Sequence, residues 1–288
     1  MPPAQTMRSL FQGPDGALQD GWRALLFGLA AWAGNGLAAT LRLALPWPAA
    51  PTPWVPDAWF SFLAFLAVTW LFLLAERRPL ASVGLALGRR WALEFLAGIL
   101  AGAGIIALVA VIGFLAGGFR WAPGVRPGLG RLAAGAWLYL AVAASEELLF
   151  RGYLFQRLVR GLGRWPGLAV GAALFAGMHW GNPGMTGATR AWASLNIALA
   201  AVLLGLCWLR TRSLALPMGL HLGWNWTQGP LLGFGVSGFQ GAGWWTPAVH
   251  GGAPWLTGGA FGLEAGLPCT LVAAVACMLL AAPTRPIS

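Results

Sequence analysis

The sequence predicts an all-α membrane protein, a bundle of about eight transmembrane helices. Of its 288 residues, 58% are hydrophobic and only 9% are charged, a balance typical of polytopic membrane proteins and not of soluble domains. Short segments rich in proline and arginine separate the apolar runs. A spanning helix needs about 20 mostly apolar residues, and eight runs come close to that length.

The predicted spans follow one another without an internal repeat. They cover residues 23–45, 58–75, 93–118, 132–157, 165–181, 191–209, 213–235 and 261–282. We expect one transmembrane domain over 23–282, with a motif-bearing core at 132–235, between an N-terminal tail (1–22) and a C-terminal tail (283–288). The Gly- and Trp-rich stretch 237–262 is expected to form an extramembrane or re-entrant loop.

The charged residues predict orientation and partners. All 18 basic residues are arginine, and the net charge is +10. With eight spans, 13 of the 18 arginines fall on the side of the termini, so the positive-inside rule places both termini in the cytoplasm. Because these arginines lie between apolar runs, we expect contact with membrane lipids and not with nucleic acid. The Ala-, Gly- and Arg-rich composition is typical of a GC-rich bacterium, which predicts a bacterial inner-membrane protein.

Two adjacent glutamates are the most informative feature of the chain. Glu146 and Glu147 follow the uncharged run 132–145, and Arg151 comes four residues after Glu147. A carboxylate inside a bilayer costs a few kcal/mol, so such residues are functional candidates. Glu147 and Arg151 have the spacing of an ion pair on one helix face. Their pairing would leave Glu146 free for chemistry.

Three further polar residues are predicted at the depth of Glu146. His179 lies near the end of the fifth predicted span, and His221 and Asn225 lie four residues apart on one face of the seventh. With a helical rise of about 1.5 Å per residue, these four residues lie about 14–22 Å from the arginines on the side of the termini. We therefore expect their side chains to converge.

This set of residues suits hydrolysis by one of two mechanisms. A desolvated glutamate can act as general base toward water, a histidine can orient that water, and a second histidine with an asparagine can stabilise an oxyanion. Alternatively, Glu146, His179 and His221 could hold zinc with an open position for water. The sequence leaves both mechanisms open, and zinc is the single cofactor it suggests.

The three motifs resemble, in the same order, those of the CPBP family, which comprises the type II CAAX prenyl endopeptidases and the bacteriocin-processing or self-immunity proteins. They are Glu-Glu-x-x-x-Arg (Glu146, Glu147, Arg151), Phe-x-x-x-His (Phe175, His179) and His-x-x-x-Asn (His221, Asn225). The resemblance implies an eight-helix intramembrane endopeptidase, with a cavity open to the cytoplasm, that cuts a hydrophobic or lipidated peptide. It also implies that Glu146 and His179 activate water and that His221 and Asn225 stabilise the oxyanion. Glu147, Arg151 and Phe175 would support the site.

Other functions predict other features. A transporter or proton relay that used Glu146 and His179 would need a polar path across the membrane and internal symmetry, and the sequence has neither. A non-hydrolytic immunity or scaffold protein of the same fold stays open. Gly235-Val-Ser-Gly238 is similar to the serine motif of rhomboid proteases, but the one later histidine, His250, falls in the predicted loop.

Overall fold

The computed structural model describes residues 18–44, 57–122, 126, 128–249 and 254–282. The described chain is mostly helical, and five of its helices are long and apolar enough to cross a membrane. The predicted class, an all-α membrane protein, is thereby confirmed. Three other helices on which spans were predicted are 12 to 15 residues long, so the number of eight spans stays a prediction. The C-terminal tail, residues 1–17 of the N-terminal tail and His250 lie outside the described residues.

The helices follow the predicted runs closely. In chain order they are α1 (Asp20–Ala44), α2 (Ala58–Ala75), α3 (Arg89–Leu115), α4 (Leu129–Glu147), α5 (Phe155–Leu162), α6 (Arg164–Met178), α7 (Gly187–Thr211), α8 (Ala215–Trp226), α9 (Pro254–Thr257) and α10 (Leu267–Ala281). Short 3₁₀ turns lie at Leu80–Val83, His179–Gly181, Gly259–Phe261 and Leu263–Ala265. Strands β1 (Phe119–Ala122) and β2 (Thr246–Val249) pair antiparallel, with Phe119 opposite Val249.

A π-helical segment, Leu148–Leu154, joins α4 to α5 directly after the paired glutamates. Within this segment Gly152 leaves helical geometry, with φ −72° and ψ −122°. Wider helical turns of this kind occur often at functional sites. A second π-helical segment, Thr227–Leu231, contains Pro230 and ends the helix that carries His221. Irregular turns thus flank two of the three motifs.

Glycines bring α3 and α8 into close contact. A Cβ atom on Gly102 would lie 2.0 Å from the carbonyl oxygen of Leu220, and one on Gly98 would lie 2.4 Å from that of Leu216. Small residues at such a crossing let two helix backbones approach directly. Because α8 carries His221, this contact fixes the depth of the third motif.

Buried ion pairs tie the helices together at the end of the bundle where α1 begins, which we call the termini end. Arg157 is only 1% exposed and donates to Asp20 at 2.9 Å and to Glu76. Glu76 also accepts bonds from Arg23 at 3.2 Å and from Tyr153 at 2.5 Å. These contacts link α1, α2 and α5. The opposite end, where α2 begins and the paired strands β1 and β2 lie, is called the loop end.

Candidate active site

Glu147 forms the buried centre of the site. Its side chain is 0% exposed, and its Oε1 atom accepts a hydrogen bond from Arg151 Nη1 at 3.1 Å, so the ion pair expected from the spacing is present. Arg151 donates its second nitrogen, Nη2, to the carbonyl oxygen of Ala201 at 3.1 Å. Glu147 Oε1 also accepts a bond from His221 Nδ1 at 2.8 Å. One carboxylate therefore neutralises the arginine and orients the histidine of another helix.

Glu146 lies on the other side of His221. Its Oε2 atom is 3.9 Å from His221 Nε2, and 23% of its side chain is exposed. No hydrogen bond to this oxygen comes from the described residues. Because Glu147 already holds the Nδ1–H group of His221, the Nε2 atom is the one that faces Glu146. The two neighbouring glutamates therefore differ in environment, since Glu147 is fully buried and bonded through Oε1 to Arg151 and His221, whereas the side chain of Glu146 is partly exposed.

The second motif fixes the ring of His179. His179 follows the end of α6, and its Nδ1 atom lies 2.7 Å from the carbonyl oxygen of Phe175. A carbonyl can only accept, so Nδ1 carries the proton and, in the neutral ring, Nε2 can accept one. The Phe175 ring lies 4.8 Å from the His179 ring, and the Arg151 guanidinium lies 4.6 Å from the Phe175 centroid. Phe175 therefore connects the first and second motifs.

One cavity of about 380 Å³ is lined by Glu146, His179, His221 and Asn225. His221 and Asn225 face it together, as their spacing of four residues on α8 predicts. The rest of the wall is mostly apolar and consists of Leu138, Tyr139, Val142, Met178, Asn182, Val236, Ser237 and Phe239. The structure thus brings the four side chains that the sequence singled out to one space.

A third carboxylate, missed from the sequence, lies beside this site. Glu264, in the 3₁₀ turn before α10, is 8% exposed and lines a small cavity of about 40 Å³ together with His179 and His221. Its Oε2 atom accepts bonds from the backbone N–H of Ser237 at 2.6 Å and from Ser237 Oγ at 3.2 Å. The available signal was an acidic residue inside the predicted span 261–282, the same kind of signal that marked Glu146.

The turn that carries Glu264 is anchored to α7. Asn196 Nδ2 donates to the carbonyl oxygens of Glu264 at 2.7 Å and of Gly266 at 2.9 Å, and its Oδ1 accepts from Thr270 at 2.7 Å. Ser237 is held from the other side, because Asn182 Nδ2 donates to its carbonyl oxygen at 2.9 Å. The wall of the cavity is therefore tied to α7 and to the loop that precedes it.

The same contacts explain the role of Ser237 in Gly235-Val-Ser-Gly238, the motif similar to that of rhomboid proteases. Ser237 lines the cavity, but its hydroxyl group donates to Glu264 and not to a histidine. A serine nucleophile needs a base within hydrogen-bonding reach. The described contacts of Ser237 are those of a residue that shapes the wall.

The zinc alternative does not fit the arrangement of the side chains. Within the described residues, no three His, Cys, Asp or Glu side chains are grouped so that they could hold a metal ion. We therefore derive no step that passes through a metal.

The fold and the site together define an integral membrane protein with a buried polar cavity. Residues 128–227 match the family model of the type II CAAX prenyl endopeptidases, Rce1-like. The match spans all three motifs, confirms the resemblance to the CPBP family and supports a protease of the CAAX endopeptidase family. Searches of curated proteins and of solved structures gave no match.

Proposed function

We propose that the protein is an intramembrane endopeptidase that hydrolyses a peptide bond of a hydrophobic or lipidated, CAAX-like substrate. The observation that carries this proposal is the cavity shared by Glu146, two histidines and an asparagine, in which one oxygen of the Glu146 carboxylate accepts no hydrogen bond from the described residues. An available base beside amide and imidazole groups is the arrangement that acyl hydrolysis requires.

In the first step, water attacks the carbonyl carbon of the scissile bond. The Glu146 carboxylate accepts a proton from this water, and His179 Nε2, which can accept a hydrogen bond, orients it. The water oxygen forms the new bond to carbon as the carbonyl π electrons move to oxygen. Glu146 then gives its proton to the nitrogen of the leaving amine as the C–N bond breaks.

In the same step, Asn225 and His221 stabilise the negative charge on the carbonyl oxygen. The Asn225 side-chain amide donates directly. His221 has its Nδ1–H group on Glu147, so its Nε2 atom can donate only when the ring is protonated. The carboxylates of Glu147 and Glu146 lie on either side of that ring and stabilise its positive charge. Glu147 and Arg151 thus support the site without contacting the substrate.

The surroundings of the cavity suit a hydrophobic partner. An apolar groove of about 530 Å³ runs between α1 and the segment from Leu149 to Leu158, lined among others by Leu29 and Trp32. Met178 lines both this groove and the cavity of Glu146. A lipid tail or an apolar side chain in the groove would therefore lie next to the reacting groups. Membrane lipids are the other expected partner, and we expect no contact with nucleic acid.

The test is cleavage of a fluorogenic farnesylated Cys-a-a-X peptide by the purified protein in detergent. Removal of a general base typically costs 10²–10⁴-fold in rate, so Glu146→Gln should lower kcat by about that factor. Its thermal midpoint should change little, since Glu146 Oε2 accepts no hydrogen bond from the described residues. The matched control is Glu94→Gln on α3, which removes a carboxylate paired with Arg90.

The rival functions predict different results. Near-wild-type cleavage by Glu146→Gln, His179→Ala and His221→Ala would show that the assigned roles are wrong. A non-hydrolytic immunity or scaffold protein should keep its cellular function in Glu146→Gln. A transporter or proton relay should show substrate flux in vesicles that Glu146→Gln abolishes.

A further inference from the structure

The small cavity of about 40 Å³ lies directly behind the candidate active site. Four side chains line both this cavity and the cavity of Glu146, and so form the wall between them, namely His179, His221, Asn225 and Ser237. Glu264 lines the small cavity and not the cavity of Glu146. The proposed mechanism uses groups of the cavity of Glu146, and the Glu264 carboxylate behind the wall has no part in it.

The small cavity has room for water and a polar group to hold it. A buried water needs about 10–15 Å³ and two to four polar partners, so the volume admits at least one. The described hydrogen bonds to the Glu264 carboxylate come from the N–H and hydroxyl groups of Ser237, and both go to Oε2. Within the described residues nothing donates to Oε1, which leaves this atom for water. Asn196 on the same wall is saturated, because its amide already bonds two backbone carbonyls and Thr270.

Asn225 lies between the two cavities, and its amide needs partners. The side chain is 6% exposed and makes no hydrogen bond in the described part of the chain. Buried amides are rarely left unsatisfied, and ordered water is the usual partner where the protein supplies none. The amide nitrogen carries two hydrogens. One of them can point into each of the two cavities that Asn225 lines.

We propose that Glu264 is a positioning residue of the candidate reaction, which orients the Asn225 amide through a water in the small cavity. The water accepts one N–H group of Asn225 and donates to Glu264 Oε1. The second N–H group of Asn225 is thereby directed at the carbonyl oxygen of the substrate. This inference rests on the proposed function, because it explains how the oxyanion donor of that reaction is oriented.

The negative charge of Glu264 selects this orientation of the amide. A flipped amide would place its oxygen, and not its nitrogen, between the carboxylate and the developing oxyanion. Both negative groups repel a carbonyl oxygen, whereas both attract an N–H group. A hydrogen bond that ends on an ionised acceptor is also stronger than one between neutral groups. Glu264→Gln removes this preference, because the new amide can donate as well as accept.

A double-mutant cycle on the rate of peptide cleavage tests the positioning role. The cycle needs the wild type, Glu264→Gln, Asn225→Ala and the double variant, each assayed for kcat and KM with the farnesylated peptide. Removal of one oxyanion donor typically costs about 10²–10³-fold in kcat, which is the loss expected for Asn225→Ala. Glu264→Gln should lower kcat by about tenfold, because the donor is still present but is no longer held in one orientation. Its KM should stay the same, since Glu264 lies outside the cavity of Glu146.

The cycle separates positioning from general support of the fold. If Glu264 acts through Asn225, Glu264→Gln should change kcat by less than about twofold in the Asn225→Ala background. An equal loss in both backgrounds, or a rise in kcat in Glu264→Gln, overturns the inference.

Thr270→Val is the matched control for the rigidity of the turn that carries Glu264. Thr270 anchors this turn through Asn196 Oδ1 and lines neither cavity. The substitution should lower the thermal midpoint while kcat stays within about twofold of the wild-type value. A tenfold loss of kcat in Thr270→Val would show that the rigidity of the turn matters and not the carboxylate, against the inference.

A high-resolution experimental structure of the wild-type protein tests the water itself and does not depend on the folding of a variant. We expect a water within about 3.2 Å of both Glu264 Oε1 and the Asn225 amide. A dry small cavity overturns the inference. If the wild type cleaves no peptide, the proposed function fails. Cleavage by the wild type together with an additive cycle or a dry cavity means that the positioning role alone fails.

Discussion

The pair of Glu147 and Arg151 allows one prediction to be worked through quantitatively. Both side chains are almost fully buried, at 0% and 3% exposed, and Nη1 and Oε1 lie 3.1 Å apart. Arg151→Met keeps most of the side-chain length but leaves the Glu147 carboxylate without its arginine partner. Breaking a buried pair by removing one partner costs about 3–5 kcal/mol, because the remaining charge stays desolvated. We therefore expect Arg151→Met to lower the free energy of unfolding by about that amount.

Removal of both charges should cost less than removal of one. In the double variant Glu147→Gln/Arg151→Met, no uncompensated charge remains, and the glutamine oxygen can still accept the bond from His221. The main loss is the hydrogen bond from Arg151 to the carbonyl oxygen of Ala201, for which about 1–3 kcal/mol is typical. The single variants should therefore couple by about 2 kcal/mol or more, within the range found for residues in contact.

The measurement is a double-mutant cycle of reversible unfolding by SDS in mixed micelles, followed by tryptophan fluorescence and far-UV circular dichroism. The cycle needs the wild type, Glu147→Gln, Arg151→Met and the double variant. Additive losses would show that the two charges do not interact. A loss below about 1 kcal/mol for Arg151→Met would show that the Glu147 carboxylate is neutral or solvated in the folded protein, against the desolvation argument.

Two further predictions concern the packing around the site. Gly102→Ala should lower the thermal midpoint strongly, because the new Cβ would lie 2.0 Å from the Leu220 carbonyl oxygen. Gly104→Ala is the control, since its Cβ would have no atom within 4 Å and the midpoint should stay almost unchanged. Equal midpoints for the two variants would refute the close contact of α3 and α8. Glu264→Gln should cost about 1.5–3 kcal/mol by loss of a charged acceptor, and Ser237→Ala less than about 1.5 kcal/mol because only its hydroxyl bond is lost. Faster amide hydrogen exchange over residues 235–239 in Glu264→Gln would confirm that the carboxylate holds this turn, and unchanged exchange would contradict it.

Much of the fold follows from the lengths of the apolar runs. The predicted span 58–75 coincides with α2, and the predicted span 23–45 differs from α1 by only a few residues. Hydropathy does not show where a helix changes its winding, so the π-helical segment 148–154 and the irregular backbone at Gly152 were not predicted. The pairing of β1 with β2 was not predicted either, because the strands are only four residues long and lie far apart in the sequence.

The site residues that could be predicted are those whose polar side chains lie within long apolar stretches of the sequence. The motif residues stand out in long apolar runs, and helical rise alone gives them a common depth. The bond between Glu147 and His221 could not be derived, because it joins two helices whose rotation depends on packing. Glu264 was missed because it lies near the end of its run, where an acidic side chain is expected at the membrane surface. The tertiary structure turns it inward instead.

Helix geometry explains why two consecutive glutamates have separate roles. Successive residues of an α-helix point about 100° apart, so the side chains of Glu146 and Glu147 cannot share one environment. Glu147 faces Arg151 and His221 in the packed interior, and Glu146 faces the cavity. The isosteric substitutions of Glu146 and Glu147 by glutamine should therefore have different effects. Glu146→Gln should remain as stable as the wild type and lose cleavage, whereas Glu147→Gln should leave Arg151 unpaired and lose stability first. If the two glutamates shared one role, the two variants would lose stability and cleavage to the same extent. Measuring both quantities for each variant therefore distinguishes the general base, Glu146, from Glu147, which positions Arg151 and His221.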